Sequence, residues 1–399
     1  MKKKFHIALI IGLVVLINLQ CRKPYALPDS EENPNILVVE GIVNTGSDST
    51  IIRLSRTVKL NDTTSSLPEL QATVSLVEPS GAVFSAFGEK GNGYYAMPGF
   101  NNVNITDQIR LKIVTSAGKI YFSEVLTVKN SPPIDSVGFQ VKSNGIELYS
   151  TTHDPTNNSR YYRWDYKEDW IIHSAYQSNL EVQTTPVDTI VARPLKDQIF
   201  VCWRNDVSST IILNSSAALS QDIIAYNLIA FVGSNSEKLS NEYCITVNQY
   251  VLTKDAFNYW QNLKKNTEQL GSIFDAQPSE IAGNIHSADN PAEPVIGFIT
   301  MGEPAQKRLF IGNSQLPMLW FQQVLTPYSN CPLDSLYFVD PANSNSNTTL
   351  LLYLGGAIPI DPILTPREVL IGYSASGAYC VDCRFRGTTT RPSFWIDKY

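Results

Sequence analysis

From residue 36 the chain alternates apolar and polar positions at period two. ILVVEGIV, STIIRLSRTV, ATVSLVEP, AVFSAF, GYYAM, DQIRLKIVT and KIYFSEVLTV are short runs rich in β-branched and aromatic residues, the pattern of half-buried strands. Between them stand Pro79-Ser80-Gly81, Gly91-Asn92-Gly93 and Ser116-Ala117-Gly118. Their glycines supply the positive φ that a tight turn needs, so neighbouring runs should close as hairpins. Seven strands in so short a stretch predict a β-sandwich, Ig-like or prealbumin-like, over residues 36–129.

Lys129-Asn130-Ser131-Pro132-Pro133 reads as a linker, because paired prolines fix φ and remove donors. A larger β-rich domain is expected over 134–399, with strands near 135–151, 160–168, 199–204, 209–213, 223–234 and 243–252. Within it Tyr162, Trp164 and Tyr166 alternate with Arg163, Asp165 and Lys167, giving one aromatic and one charged face. The aromatic face is expected in the core; an exposed strip that binds a glycan or peptide would have the same sequence. One amphipathic helix is predicted over 254–270, capped by Thr253 and stopped by Gly271, with Phe257, Trp260, Leu263, Thr267 and Leu270 on its docking stripe. Short strands follow in VIGFIT, RLFIG, TTLLLYL and VLIGY, with a solvated loop, PANSNSNTT, at 341–349. The fold class is therefore mainly β.

The first residues break this pattern. Lys2, Lys3 and Lys4 precede an apolar run from Phe5 to Leu19, interrupted by His6 and closed by Cys21. The run is shorter than the roughly 20 residues a spanning helix needs, so residues 1–20 read as a cleaved export signal. A cysteine directly after such a core resembles the lipobox of bacterial lipoproteins, although Asn18, Leu19 and Gln20 depart from its usual residues. Cys21 is then the lipidated N-terminus, and residues 21–35, polar and proline-bearing, form a tether. The alternative is an ordinary signal with Cys21 an incidental thiol. Removal of the three lysines leaves 28 basic against 37 acidic residues, which argues against a nucleic-acid partner. Composition elsewhere is globular, with 43% hydrophobic and 17% charged residues excluding disorder.

Cys202, Cys244, Cys331, Cys380 and Cys383 remain, an odd number in an oxidising compartment. Cys244 lies inside the apolar run YCITVNQYVL and is expected to be a buried free thiol, leaving Cys202, Cys331, Cys380 and Cys383 for two bridges whose pairing the sequence does not select. Cys380-Val-Asp-Cys383 also has the spacing of half a zinc knuckle or a redox dithiol, but lacks a second ligand pair or a βαβ setting. No metal or cofactor motif is found. His153, His173 and His286 have no metal-ligand spacing, Gly372-Tyr373-Ser374-Ala375-Ser376 departs from the nucleophile elbow, and no P-loop or dinucleotide fingerprint is present.

From Cys202-Trp203-Arg204 onward, a series of landmarks includes Val247-Asn248-Gln249-Tyr250, Tyr259-Trp260, Leu270-Gly271-Ser272-Ile273-Phe274-Asp275, Gln277-Pro278, Gly283-Asn284-Ile285 and Val295-Ile296-Gly297. Lys307-Arg308, Cys380-Val381-Asp382-Cys383-Arg384 and Pro392-Ser393-Phe394-Trp395 follow. With the opening LVVEGIVNTG, this series resembles a family of exported Bacteroidota lipoproteins, domain of unknown function four-two-four-nine. The resemblance implies an outer-membrane lipoprotein, on the periplasmic face or the cell surface, whose neighbour is a TonB-dependent transporter; it implies no activity. The expected function is a lipid-anchored binding or accessory protein in nutrient uptake. The alternatives are an envelope hydrolase with a site assembled from scattered Asp, Glu or Ser, and a structural adhesion module.

Overall fold

Local turns build the first unit. A computed structural model describes residues 35–59, 62, 66–100, 108–183, 189–268, 283–322, 327–328, 330–339 and 355–395. The expected signal, Cys21, the tether to residue 34, Leu270, Gly271 and the 341–349 loop lie outside them. Strands β1 (Leu37–Asn44), β2 (Thr50–Arg56), β3 (Leu67–Pro68), β4 (Thr73–Val77), β5 (Val83–Ala86), β6 (Gly88–Gly91), β7 (Tyr94–Met97), β8 (Arg110–Val114) and β9 (Ile120–Ser123) come first. Gly81, Gly93 and Gly118 hold φ of 86°, 77° and 79°, and β4–β5, β6–β7 and β8–β9 pair antiparallel across those turns. One sheet runs β1-β2-β7-β6 and the other β9-β8-β4-β5. Val39, Ile52, Leu54 and Tyr95 from the first meet Val74, Leu111, Ile113 and Tyr121 from the second in one core, so the chain is mainly β with a sandwich at its start.

The second unit begins with β10 (Ile134–Lys142), β11 (Gly145–Asp154), β12 (Tyr161–His173), β13 (Leu180–Gln183), β14 (Thr189–Ala192), β15 (Val201–Val207), β16 (Ile212–Ser215), β17 (Asp222–Gly233) and β18 (Glu242–Val251). The stretch read as one strand near 135–151 is a hairpin, β10–β11, turning at Ser143-Asn144. After α1 (Lys254–Glu268) come β19 (Ile285–Ser287), β20 (Val295–Ile296), β21 (Thr300–Gly302), β22 (Ala305–Gly312), β23 (Asp334–Tyr337), β24 (Ala357–Leu364), β25 (Leu370–Gly377) and the short α2 (Ala378–Val381). A three-stranded sheet, β10-β11-β17, packs on a sheet ordered β15-β12-β18-β22, with β16 beside β12. Their shared core holds Leu148, Tyr162, Trp164, Trp170, Ile229, Tyr243 and Val247.

The expected split into contiguous 36–129 and 134–399 units needs amending. β19 pairs with β9, and β20 and β21 lie parallel to β1, so residues 285–302 return to complete the first sandwich. Two features of the sequence secure that return. Asn284 donates from Nδ2 to the Ile299 carbonyl and accepts the Ile299 N–H on Oδ1, both at 2.8 Å. Gly297 holds a φ of 141°, and a Cβ there would sit 2.2 Å from the Val39 carbonyl oxygen, so only glycine lets the strand approach so closely.

Helix α1 starts as expected from its cap, with Ala256 N–H donating to Thr253 Oγ1 at 3.2 Å. Its deepest residues are Ala256 and Tyr259, with Phe257, Trp260 and Leu263 half-buried beside them. The stripe is thus rotated by about one position from the one predicted, and the half-buried Trp260 ring is covered by the Arg163 guanidinium, 4.3 Å from its centroid.

Candidate ligand-binding cleft

Strand β12 decides the site because its two faces have different fates. Even-numbered residues point into the core between the two sheets. The Tyr162 hydroxyl donates to Asp222 at 2.8 Å, and Trp164 Nε1 donates to Gln249 Oε1 at 3.1 Å. Both residues are buried, at 0% and 1% exposure, so the aromatic strip proposed for ligand does not meet solvent there. The facing sheet covers it, and Asp222 and Gln249 satisfy its polar tips. Tyr166 is half-buried and reaches a recess of about 250 Å³ beside Glu168, Asp206 and Lys238.

Odd-numbered residues lie on the opposite face, where all but the buried Asp169 are at least partly exposed. Arg163, Asp165 and Lys167 are the charged ones read from the sequence, but the same face continues to Ile171 and His173. There it forms the wall of a cleft of about 840 Å³, within the size range of small-ligand sites. Trp203 and Val201 of β15, Phe310 of β22 and Trp395 add apolar surface. The connection from β12 to β13 and the chain after β14 bring Gln177, Ser178, Asn179, Arg193 and Leu195 to the opposite side. Leu195 is 92% exposed, an apolar side chain at the mouth with no core to fill.

The C-terminal segment reaches the cleft through Trp395 and is fastened at several points. Cys202 is bonded to Cys383, and Cys331 to Cys380. The second bridge belongs to a small core of Ile199, Ile360, Cys380 and Val381 under the sheet β23-β25-β24. Arg386 forks onto Glu237 at 2.8 and 2.6 Å. Burial alone would lower the Arg386 pKa, but the Glu237 carboxylate outweighs it and drives it upward. Trp395 Nε1 donates to Glu242 at 3.0 Å, and its ring meets Phe310 edge-on at 5.2 Å. Cys244 is buried and free, with its thiol pushed up to about 12 by burial, and does not line the cleft.

Electrostatically the cleft is quiet. His173 stacks on Phe200 at 4.6 Å, and burial lowers its pKa, which keeps the ring neutral at pH 7. Arg193, whose pKa burial also lowers, has its guanidinium committed to Glu181 at 3.3 Å and to the Leu180 carbonyl at 2.8 Å. Among the described residues, no group of three or more His, Cys, Asp or Glu is placed to hold a metal ion, and no helix is long and apolar enough to cross a membrane.

Sequence reasoning missed Ile171, His173, Trp203, Phe310, Trp395 and Arg193. A signal existed for three of them. Continuing the β12 alternation past Lys167 places Ile171 on the outward face, where an apolar residue is out of pattern. In Cys202-Trp203 the neighbour of an inward cysteine must point outward, and β22 exposes Phe310 in the same way.

Together these features define a two-sandwich β protein whose second sandwich carries a cleft bordered by Trp395 of a disulfide-linked C-terminal segment. The chain belongs to the family described as Domain of unknown function (DUF4249), whose model matches residues 22–308. No curated protein matches the chain. The match ends at Arg308, so Phe310, Trp395 and Cys383 lie beyond it, although Cys383 is covalently joined to Cys202 within it.

Proposed function

We propose that this protein is a lipid-anchored ligand-binding accessory of the outer membrane, acting beside a TonB-dependent transporter in nutrient uptake. The observation that carries the reading is the cleft, a preformed concavity of small-ligand size lined by apolar and polar side chains in similar number. Sequence features before the fold support the anchor. The three lysines, the apolar run and Cys21 fit a lipoprotein signal, and the polar, proline-bearing composition up to residue 34 is that of a tether.

The test uses C-terminally tagged full chain expressed in its native cells, with Cys21→Ser as control. Radiolabelled palmitate should enter the wild type and not the variant. A TonB-dependent transporter, identified by mass spectrometry, should co-purify from detergent extract with the anchored form and be lost or depleted with the variant. Absence of label from the wild type overturns the anchor, and absence of a transporter from both forms overturns the uptake role.

A further inference from the structure

Resting on the cleft as a binding site, we infer that its ligand is a neutral, polyhydroxylated ring compound, a saccharide unit. Beside its aliphatic residues the apolar lining includes the rings of Phe200, Trp203 and Phe310, with the buried Trp395 set edge-on to Phe310. A sugar ring has one face of C–H groups that packs on the electron-rich face of such a side chain, while its edge carries hydroxyls that each need a donor or an acceptor.

The polar lining meets that need in a particular way. Three amides are each fastened to the protein by one end. Asn241 Nδ2 donates to the Ile171 carbonyl at 3.3 Å, Asn313 Nδ2 donates to the Ser240 carbonyl at 3.2 Å, and Gln315 Oε1 accepts the Gly312 N–H at 2.9 Å. The other ends, two carbonyl oxygens and one NH₂, have no partner among the described residues, and the Ser314 hydroxyl stands between the last two. Amides held at one end lose little rotamer freedom when the other end binds, so they are preorganised for hydroxyls.

Charge discriminates against the other ligand classes. An anion would need a cation to spare, and the Arg193 charge is already matched by Glu181, its one unpartnered nitrogen, Nε, being buried. Glu242, which faces the same space, accepts from Trp395 Nε1. A fatty acyl chain would strip water from the three amide ends without replacing their hydrogen bonds, at a cost for each one.

The test is isothermal titration of the full chain in detergent with maltose, cellobiose, chitobiose and mannobiose, alongside laurate and citrate. At least one neutral disaccharide should bind, weakened about tenfold by Asn313→Ala, as expected for loss of one ligand hydrogen bond. It should also be weakened by Trp203→Leu, which keeps apolar bulk but removes the flat ring. Asn313 is on the surface turn, so its variant tests the site even if Trp203→Leu fails to fold. If laurate or citrate binds in the cleft and no disaccharide does, the saccharide class is overturned while the cleft reading stands. Disaccharide binding indifferent to both variants overturns the site, and a panel in which nothing binds overturns the saccharide class, the cleft itself being decided by whether the chain purified from its own envelope carries a small-molecule mass.

Discussion

Trp203 and Thr388 exchange two backbone hydrogen bonds, with Trp203 N–H donating to the Thr388 carbonyl at 2.8 Å and Thr388 N–H donating to the Trp203 carbonyl at 3.0 Å. One residue back, Cys202 is bonded to Cys383. The strand that presents Trp203 to the cleft and the segment that brings Trp395 to it are therefore a single covalent and hydrogen-bonded piece.

Removal of that bridge should loosen the fold and the cleft together. The sequence separation of 181 residues is large, and closing so long a loop restricts the unfolded chain strongly, so Cys202→Ala with Cys383→Ala should cost about 2–5 kcal/mol. Guanidinium denaturation of the full chain measures the loss, and hydrogen exchange should rise at residues 384–395. A loss below about 1 kcal/mol with unchanged exchange would show that the Arg386–Glu237 fork holds the segment unaided.

The return of residues 285–302 to the first sandwich depends on Asn284. Its side chain satisfies both backbone groups of Ile299 and is buried, at 4% exposure. Asn284→Ala leaves a buried N–H and C=O without partners and should destabilise the full chain by about 2–4 kcal/mol. Asn284→Asp, which can accept but not donate at neutral pH, should fall between the variant and the wild type. Equal stability of all three, measured by urea unfolding, would remove the clamp from the account.

That return is also where the sequence was least legible. The hairpins were readable because Gly81, Gly93 and Gly118 act within a few residues of the strands they join. β20 and β21 are two and three residues long and pair with β1, some 250 positions earlier; no local periodicity encodes such a partner. Gly297 was visible in the sequence, but its purpose, the approach to Val39, was not. The cleft was half-legible for a related reason. Alternation along β12 correctly separates the inward Tyr162 and Trp164 from the outward charges, but the walls that turn Ile171 and Trp203 into a cleft come from Arg193, Phe310 and Trp395, on segments that the topology alone brings together.

Acid should expose the role of Asp154. Burial alone would push its carboxyl up, but the Thr156 hydroxyl and the N–H groups of Thr156, Asn158 and Ser159 donate to it and hold it at about 2, below its ordinary 3.8. A carboxyl depressed in the folded state contributes stability that is complete above the unfolded value and is lost as pH falls from about 4 toward 2, here on the order of 2 kcal/mol. Asp154→Asn should be less stable at pH 7 and should lack that acid-sensitive limb. A limb of the same size in the variant would assign it to another group.

Docking of α1 should depend on a planar cation. Arg163 lies between the rings of Tyr250, at 4.7 Å, and Trp260, at 4.3 Å, and is paired with Asp165 at 2.8 Å. Arg163→Ala should cost about 1–3 kcal/mol, and Arg163→Lys should recover less than half of it, because an ammonium cannot stack in the same way. Full recovery by lysine, read from thermal unfolding, would mean that charge alone is used.

The central claim is that the cleft binds a small molecule, and native mass spectrometry of the full chain purified from its own envelope tests it most directly. Ser314 is exposed at the cleft rim, so Ser314→Trp should fill the space while sparing the core. The wild type should carry an additional small-molecule mass that Ser314→Trp lacks. The same additional mass on both proteins, or none on either, would contradict the claim.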